Sequence, residues 1–440
     1  MGRLFFILAI GATATASLAR PWIGVIGSYV IVVLGPQYIW WWHFQGLRAA
    51  LWIMLPTLVG FSIALVRGSY DLSILKNRRN VFVLLLWASF TLSYYFGPYV
   101  DVGGSLRVTD AAWAIELIHK MMILYFLACV CIDDERRTRA LAYVLIGSTI
   151  YLIYWANNSY LSGQAFGRIP GPSNPFEEGQ YGDGNNFAIL FVVGLPYLWY
   201  AGLAASNSFV RGALWVAIPL GWHAVFLTGS RGGLVGLGAT LLLTVWRSKR
   251  RSLGFLLLPV FAVAYIWQAG DVMKERAGTI IEYQTETSAS SRLEAWDAAT
   301  NMIREHSITG VGLSSFITAF PDYSDAVPRE AHNTFFQIAG ESGLLAGAMY
   351  LAIVTSSLLV LWRNGIRLRR RESDINHEVR NLLWINEATL VGFSGLVICS
   401  LFLSLQLFEL FYFLLVLVNT LNYQIDKLDA SAQIKDDNAS

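Results

Sequence analysis

Charged residues are scarce in this chain of 440 residues, and their scarcity limits its class. Asp, Glu, Lys and Arg make up 14% of the residues, whereas soluble domains usually carry about 25%. Hydrophobic residues reach 55%, and Phe, Trp and Tyr together account for 14%. A water-exposed globular domain is therefore excluded for most of the chain, and aromatic rings in this number are typical of membrane interfaces.

Cysteine and the familiar cofactor motifs are almost absent. The three cysteines, Cys129, Cys131 and Cys399, fall in or at the end of apolar runs. They therefore predict packing side chains, and neither a disulfide framework nor a zinc site. No P-loop, HExxH, CxxC or strand-borne GxGxxG motif occurs, so the sequence predicts no cofactor and no nucleic-acid partner.

Long apolar runs occupy the sequence instead. About 20 apolar residues span a hydrocarbon core of about 30 Å. Thirteen runs are candidates: 4–19, 22–38, 49–66, 81–98, 111–132, 140–156, 187–204, 209–227, 232–246, 253–269, 334–362, 384–405 and 408–424. The run 4–19 resembles a signal peptide, but Arg20 and Pro21 lead straight into another run, so we interpret it as a membrane segment. Because the first three runs are short and crowded, we expect two of them to cross, which gives 12 crossings.

Four basic clusters predict the orientation, since Lys and Arg in short loops stay cytoplasmic. They lie at 76–79, 136–139, 247–251 and 363–371. Successive clusters are separated by an even number of runs, so all four can lie inside together. The other face then holds loop 99–110, loop 157–186, turn 228–231 and segment 270–333.

The predicted fold class is an all-α polytopic membrane protein of about 12 transmembrane helices. Residues 1–269 form the first membrane part, 270–333 a long outside loop, 334–425 the C-terminal membrane helices and 426–440 a disordered cytoplasmic tail. Within the long loop, residues 291–304 predict an amphipathic helix over the membrane mouth, with Leu293, Trp296 and Met302 on one face.

His332 is the first candidate for chemistry, because it ends the long outside segment directly before an apolar run. An imidazole near its ordinary pKa accepts a proton at neutral pH. At the outer end of a membrane helix it would contact both a lipid headgroup and a hydroxyl group in the aqueous phase. The alternative is a polar residue at a helix entry, with Asn333 as the cap.

Three arginines on the predicted outside face are the next candidates. Arg231, in TGSRGG, lies on the face where Lys and Arg are usually scarce. Its planar guanidinium group suits a bidentate contact with phosphate. Arg168 lies in a Gly- and Pro-rich loop, and Arg292 opens the amphipathic helix, where a positive charge is slightly unfavourable. The alternatives are a snorkelling helix-end arginine for Arg231 and a solvated loop charge for Arg168. One base with several arginines suits a polyanionic lipid headgroup.

Ionisable residues also occur inside the apolar runs, at Glu116, Glu387 and Glu409. Such charges are functional candidates by default and would line the pathway of a transporter, for which an inverted repeat is expected but not visible. The other interpretation is structural pairing, such as Glu116 with Lys120 at i, i+4. His223 is expected to make a hydrogen bond between helices.

A set of spaced residues then forms a recognisable pattern. An Arg–Trp helix leads to a glycine turn with a following Phe, and a His–Asn pair opens a helix that contains glycines. The residues are Arg292, Trp296, Gly310, Val311, Gly312, Phe316, His332, Asn333, Gly340 and Gly343. This pattern resembles the signature region of the O-antigen ligase and polymerase superfamily. SRGGLVGL at 230–237 resembles its membrane-edge arginine motif, and the N-terminus is similar to exosortase-associated O-glycosylation ligases. The resemblance covers roughly 165–350, and Ala346 departs from some versions of the pattern.

The resemblance implies a multi-span inverting glycosyltransferase of the GT-C class in the bacterial inner membrane, with its active site facing the periplasm. It implies transfer of O-antigen glycan from undecaprenyl diphosphate to a sugar hydroxyl of lipid A–core, in lipopolysaccharide assembly, without metal or nucleotide. Carried to this chain, His332 is the base, and Arg231 and Arg168 bind the diphosphate together with Arg292. Asn333 and Trp296 support them. An O-antigen polymerase, a protein O-glycosyltransferase and a lipid-sugar flippase remain alternatives.

Overall fold

The computed structural model describes residues 2–100, 110–164, 168–175, 179–248, 251–268, 287–371 and 377–437. All regular secondary structure in these ranges is helical, as predicted. The α-helices are α1 Gly2–Ala19, α2 Pro21–Leu34, α3 Pro36–Ile39, α4 Trp41–Phe44, α5 Ala49–Val66, α6 Arg78–Phe96, α7 Ala111–Cys131, α8 Glu135–Leu161, α9 Gly184–Ala204, α10 Ser208–Thr228, α11 Arg231–Arg247, α12 Arg251–Gln268, α13 Thr287–Glu305, α14 Phe316–Ala319, α15 Thr334–Arg370, α16 His377–Ser400 and α17 Glu409–Asp437. Short 3-10 turns lie at Leu72–Leu75 and Phe320–Asp322.

Each of the thirteen apolar runs is helical over most of its length. Among the described helices, eight are long and apolar enough to cross a membrane, namely α1, α5, α7, α8, α9, α10, α15 and α16. Helix α2 and residues 255–268 are apolar but shorter. Length and composition therefore support the membrane-protein class, while the number of 12 crossings stays a prediction.

Helix α9 lies at the centre of the bundle, because 89% of its most apolar window is buried. It packs against α8, α10, α11 and α16. Where α8 and α9 cross, a Cβ at Gly194 would lie 2.1 Å from Thr149 Oγ1, so only glycine permits this approach. All three cysteines are free and buried, which confirms their predicted role in packing.

Three of the basic clusters contact α17 between Asn419 and Asp429. Arg79 of the first cluster donates from Nε to Asn419 Oδ1 at 3.0 Å. Thr138, within the second cluster, accepts a hydrogen bond of 2.6 Å from Gln424 Nε2. Arg367 of the fourth cluster pairs with carboxylates of the same helix. These clusters therefore lie together at one end of the bundle.

The third cluster joins them through a buried carboxylate. Arg247 donates to Glu387 Oε1 at 2.7 Å and to Oε2 at 2.9 Å, and Arg369 of the fourth cluster lies 3.0 Å from the same carboxylate. Glu387 therefore makes the structural pairing that the sequence left as one of two interpretations. All four clusters share one end of the bundle, as the even number of intervening runs predicts.

The start of α17 lies at the opposite end. Fifteen residues separate Glu409 from Gln424, which is about 22 Å of helix at 1.5 Å per residue. Glu409 directly follows segment 401–408, and this segment contacts the start of α15 through Thr334 Oγ1, which donates to Leu403 O at 2.7 Å. The start of α15, where His332 lies, is therefore separated from the basic end by most of a bilayer thickness.

Helix α13 confirms the amphipathic helix predicted at 291–304 but corrects its details. It begins at Thr287, so Arg292 lies in its second turn and does not open it. Leu293 is 52% exposed, so its predicted place on the packed face is wrong. That face is built from Ala295, Ala298, Ala299 and Met302. Alanine is only weakly hydrophobic, so the spacing of the large apolar residues predicted a different packed face of the helix.

The predicted disordered tail at 426–440 is also corrected, because α17 continues to Asp437. Asp429 binds both Arg367 and Arg371, and these ion pairs hold the helix beyond the apolar run. Loop 157–186 is shortened, because α8 continues to Leu161 and α9 begins at Gly184. Residues 165–167 and 176–178 of this loop lie outside the described residues. Residues 101–109 of loop 99–110, residues 269–286 of the long outside segment and residues 438–440 lie outside the described residues.

Candidate active site

His332 lies in a backbone turn just before α15. Its φ of +47° is in the left-handed region, which costs a non-glycine residue of order 1–3 kcal/mol and is found most often at functional sites. The neighbouring Ala331 is fully buried, and its N–H donates to Gln337 Oε1 at 2.9 Å. The turn is therefore held in place by contacts of its neighbours, and the half-buried imidazole projects from a fixed backbone.

Trp296 holds the same turn from α13. Its Nε1 donates to the carbonyl of Ala331 at 2.9 Å. Its ring stacks on Phe336 with 5.4 Å between centroids and 19° between planes. Helix α13 thus contacts the residues on either side of His332 through one hydrogen bond and one aromatic stack.

Asn333 caps α15, as one interpretation of the sequence predicted. Its Oδ1 accepts from the backbone N–H groups of Phe335 at 3.0 Å and Phe336 at 3.3 Å. Its Nδ2 donates to Leu401 O at 3.3 Å. Asn333 therefore orients the helix start and ties it to segment 401–408.

Burial and charged groups from three segments set the pKa of His332. Burial is the main cause that lowers the pKa of His332, and the Arg292 cation on α13 lowers it further. Asp183, the N-cap of α9, raises this pKa, and Arg329 lowers it. The balance favours the neutral imidazole at pH 7, which is the form that a general base requires.

Arg168 packs on the turn between α10 and α11. Its Nε donates to Thr228 O at 2.9 Å, and its Nη2 donates to Asn185 Oδ1 at 3.0 Å. Gly229 has φ +62°, and a Cβ there would lie 3.0 Å from Arg168 Cγ. Part of the hydrogen-bonding capacity of Arg168 therefore serves the fold, by fixing the turn that precedes Arg231.

Arg231 is the first residue of α11. The N-cap Ser230 accepts from Gly233 N at 3.1 Å through its Oγ. A helix N-terminus attracts anions through its partial positive charge and its N–H groups, and the Arg231 guanidinium adds a full charge at the same point. The structure thus brings Arg168 and Arg231 together at one helix start.

Phe402 links this turn to the side of the site that holds His332. A Cβ at Gly232 would lie 3.4 Å from Phe402 Cβ. The guanidinium carbon of Arg292 lies 5.9 Å from the centroid of the Phe402 ring. Because Leu401 accepts from Asn333, the Arg231 turn, Arg292 and the His332 turn all border the same short segment, 401–408.

Segment 401–408 was not predicted from the sequence. Its residues are mostly apolar, so they were divided between the predicted spans 384–405 and 408–424. Helix α16 ends at Ser400 and α17 begins at Glu409. Hydropathy alone offers no signal for this segment, because it does not distinguish an apolar loop from an apolar helix.

The glycine turn at 310–312 packs against an interruption in α15. Gly343 has φ +86° and ψ 168°, which interrupts the helix. Val311 N donates to Gly340 O at 2.9 Å, and Gly312 N donates to Glu341 O at 3.0 Å. The Gly340 carbonyl would otherwise lose its partner at the break, because Leu344 N donates instead to Ser307 O at 2.8 Å.

Glycine is required on both sides of this contact. Gly310 has φ +65°, and a Cβ there would lie 2.2 Å from the carbonyl carbon of Glu341. A Cβ at Gly343 would lie 2.2 Å from Ile308 O. The spacing of the two glycine motifs is therefore explained by one close docking of the turn into the helix break.

The Glu341 carboxylate, which was not among the predicted site residues, connects three parts of the site. It accepts hydrogen bonds from Ser314 N at 2.9 Å, Phe316 N at 3.3 Å, Gln337 Nε2 at 2.8 Å and Gln406 Nε2 at 2.7 Å. The side chain is 2% exposed. The signature turn, α15 and segment 401–408 therefore share one buried acceptor. The sequence feature that could have identified Glu341 is an acidic residue flanked by glycines at the start of an apolar helix.

A small polar cavity of about 80 Å³ lies beside this carboxylate. Its lining consists of Ser314, Ile317, Glu330, Gln337, Glu341, Ser404, Gln406 and Leu407. Glu330 stands two residues before His332, and burial raises its pKa, with a smaller opposing effect from its hydrogen bond to Ser404. Carboxylates, amides and hydroxyls in this density can bind sugar hydroxyls, so the cavity extends the site on the His332 side.

Three of the other ionisable residues, Glu116, His223 and Glu387, have structural partners. Glu116 pairs with Lys120 at an exposed position, as predicted. His223 Nδ1 hydrogen bonds to Asn157 Oδ1 at 2.7 Å between α10 and α8, as expected. With Glu387 paired to Arg247, two of the three candidate transport glutamates are engaged in ion pairs, and they lie at opposite ends of the bundle.

Comparison with known proteins tests the resemblance. Residues 216–351 match a family model described as O-antigen ligase. No curated protein and no solved structure matches the chain. The matched range includes Arg231, Arg292 and His332 but not Arg168. The match implies a membrane glycosyltransferase of the ligase and polymerase type, with lipid-linked glycans and lipid acceptors as the general kind of substrate. Segment 216–351 is therefore similar to the O-antigen ligase family.

Proposed function

We propose that this protein transfers O-antigen glycan from undecaprenyl diphosphate to a sugar hydroxyl of lipid A–core, with inversion at the anomeric carbon. The observation that carries the proposal is that the His332 turn, Arg292 and the Arg231 turn border one segment, 401–408. Transfer of this kind needs a base for the acceptor hydroxyl and cations for the departing diphosphate. We assign the base to His332 and the cations to Arg231 and Arg292.

In the proposed reaction, the neutral imidazole of His332 takes the proton of the acceptor hydroxyl while the oxygen attacks the anomeric carbon. The bond between that carbon and the diphosphate oxygen breaks, and the electron pair leaves with the diphosphate. Arg231 and the N-terminus of α11 stabilise the new charge, with Arg168 and Arg292 as further cations. The cavity beside Glu330 orients the acceptor sugar.

We place the site at the periplasmic face of the inner membrane. Lys and Arg clusters stay on the cytoplasmic side, and the four clusters lie at the end of the bundle opposite His332. A polyprenyl donor can enter such a site laterally from the bilayer between helices. The proposal assigns the positive charge of the reaction to arginines and uses no metal.

The test is glycan transfer by the purified protein with an undecaprenyl-diphosphate glycan. Arg231→Lys replaces a fork by a point charge, so turnover should fall roughly 10- to 100-fold, the equivalent of a lost charge-assisted hydrogen bond. Arg363→Lys, at an exposed arginine of the basic end, is the matched control and should retain full turnover. Near-normal turnover of Arg231→Lys would contradict the diphosphate role.

The acceptor distinguishes the ligase from its relatives. We expect glycan on lipid A–core and none on a peptide. Elongation of one lipid-linked glycan by another would instead identify a polymerase, and glycan on a peptide would identify a protein glycosyltransferase.

A further inference from the structure

A cavity of about 520 Å³ lies at the basic end of the bundle, far from His332. It is formed where α1 and α5 end and where α2 and α8 begin. Its polar lining includes Arg20, Arg67, Arg136, Arg137, Asp134 and Tyr70. The reaction proposed above uses none of these residues.

One of the four arginines is neutralised within the protein. Arg137 Nε lies 3.0 Å from Asp134 Oδ2, and the same guanidinium pairs with Asp133 and donates to Cys131 O at 3.0 Å. This side chain therefore builds the wall of the cavity. It also lies over the Trp22 ring, with 5.9 Å between the guanidinium carbon and the ring centroid.

The other three arginines are available to bind a ligand. Arg20, Arg67 and Arg136 are exposed, and across the described part of the chain their side chains make no hydrogen bond or ion pair. Two helix starts and two helix ends meet here, so the helix dipoles largely cancel. The attraction for an anion therefore comes from the three guanidinium groups.

Backbone geometry shapes the cavity at Arg67. Gly68 follows it with φ +71°, and Ser69 N donates to Ala64 O at 3.0 Å. This left-handed turn ends α5 and directs Ser69 and Tyr70 back toward the cavity. The arginine at the end of α5 thus belongs to a defined turn.

The cavity continues into an apolar, outward-facing surface. Leu18 of α1 and Ile63 of α5 line it and are 45% and 44% exposed. Further along these helices, Leu8 is 62% exposed and Leu55 is 53% exposed. Because this surface would face hydrocarbon in a membrane, a ligand with a charged head and apolar chains fits the cavity better than a soluble anion.

We propose that the cavity binds the phosphate headgroup of an anionic membrane lipid, with its acyl chains along α1 and α5. Arg20, Arg67 and Arg136 contact the phosphate. An arginine near a membrane surface contributes about fivefold to the affinity for anionic lipid. The inference does not depend on the glycosyl transfer proposed above, because the two sites lie at opposite ends of the bundle.

Native mass spectrometry of the full-length protein in detergent, titrated with phosphatidylglycerol or phosphatidylcholine, tests the proposal. We expect tight binding of phosphatidylglycerol only. Arg67→Gln and Arg136→Gln should each weaken it about fivefold, and the triple variant that includes Arg20→Gln about 100-fold. All three residues are exposed, so these variants should keep the melting temperature of the parent.

Arg370→Gln is the matched control, an exposed arginine of the basic end outside the cavity. Unchanged lipid binding in this variant supports a specific site. An equal loss in Arg370→Gln, or equal binding of phosphatidylcholine, would overturn the proposal. Displacement of the lipid by millimolar inorganic phosphate would overturn the lipid assignment in favour of a soluble anion.

Discussion

The indole Nε1 of Trp296 and the carbonyl oxygen of Ala331 are 2.9 Å apart, so α13 holds the backbone one position before His332. The carbonyl belongs to a fully buried residue, and an unsatisfied buried acceptor costs about 1–3 kcal/mol. The position of the imidazole therefore depends on a residue that does not reach it directly.

Replacing this tryptophan by phenylalanine separates the hydrogen bond from the stack. Trp296→Phe keeps an aromatic ring against Phe336 but leaves the Ala331 carbonyl without its donor. We expect kcat to fall about tenfold with little change in KM, because small displacements of a catalytic group are costly. Trp113→Phe, at an exposed tryptophan, should have no effect. A normal kcat in Trp296→Phe would show that the bond does not position His332.

His332→Asn tests the base without disturbing the backbone. Asparagine accepts a left-handed φ more readily than alanine, so the turn at φ +47° is kept. Loss of a general base lowers turnover by about 10²- to 10⁴-fold. Glycan transfer and the melting temperature should both be measured. A stable variant with normal transfer would exclude His332 as the base.

The pH dependence of kcat/KM should respond to the neighbours of His332 in opposite directions. The Arg292 cation lowers the pKa of His332, so Arg292→Gln raises it, and the acid limb of the profile moves to higher pH. Asp183 raises this pKa, so Asp183→Asn, which can still cap α9, moves the limb to lower pH. Arg304→Gln, at an exposed position on α13, is the control. Shifts in the same direction for both variants would contradict this electrostatic arrangement.

Gly343→Ala should destabilise the protein strongly. The backbone φ of +86° is unfavourable for alanine, and its Cβ would lie 2.2 Å from Ile308 O. A loss of about 3 kcal/mol is expected from strain of this kind, measured by thermal unfolding in detergent. Gly238→Ala is the matched control, because its Cβ would meet nothing within 4 Å and alanine favours a helix. Equal stability of the two variants would disprove the tight docking of the glycine turn.

Local features of the chain were predicted well. Every apolar run is helical over most of its length, and Asn333 caps α15. Both features were predictable because hydropathy and capping depend on residues close in sequence. Leu293 was assigned to the wrong face, since the packing of α13 depends on alanines and on the partner that they meet. Glu341 and segment 401–408 were missed, since an acidic residue or an apolar loop has the same composition whatever it contacts.

The sequence by itself determined a helical membrane protein and a short list of chemical groups, because burying so many apolar residues with satisfied backbone hydrogen bonds leaves few other solutions. Only the tertiary structure decided which groups meet. Arg292 and the turns that hold Arg231 and His332 belong to three segments of the chain, and all three border segment 401–408 through non-local contacts such as Asn333 with Leu401. Such contacts arise when packed helices bring distant residues together, and no local pattern encodes them.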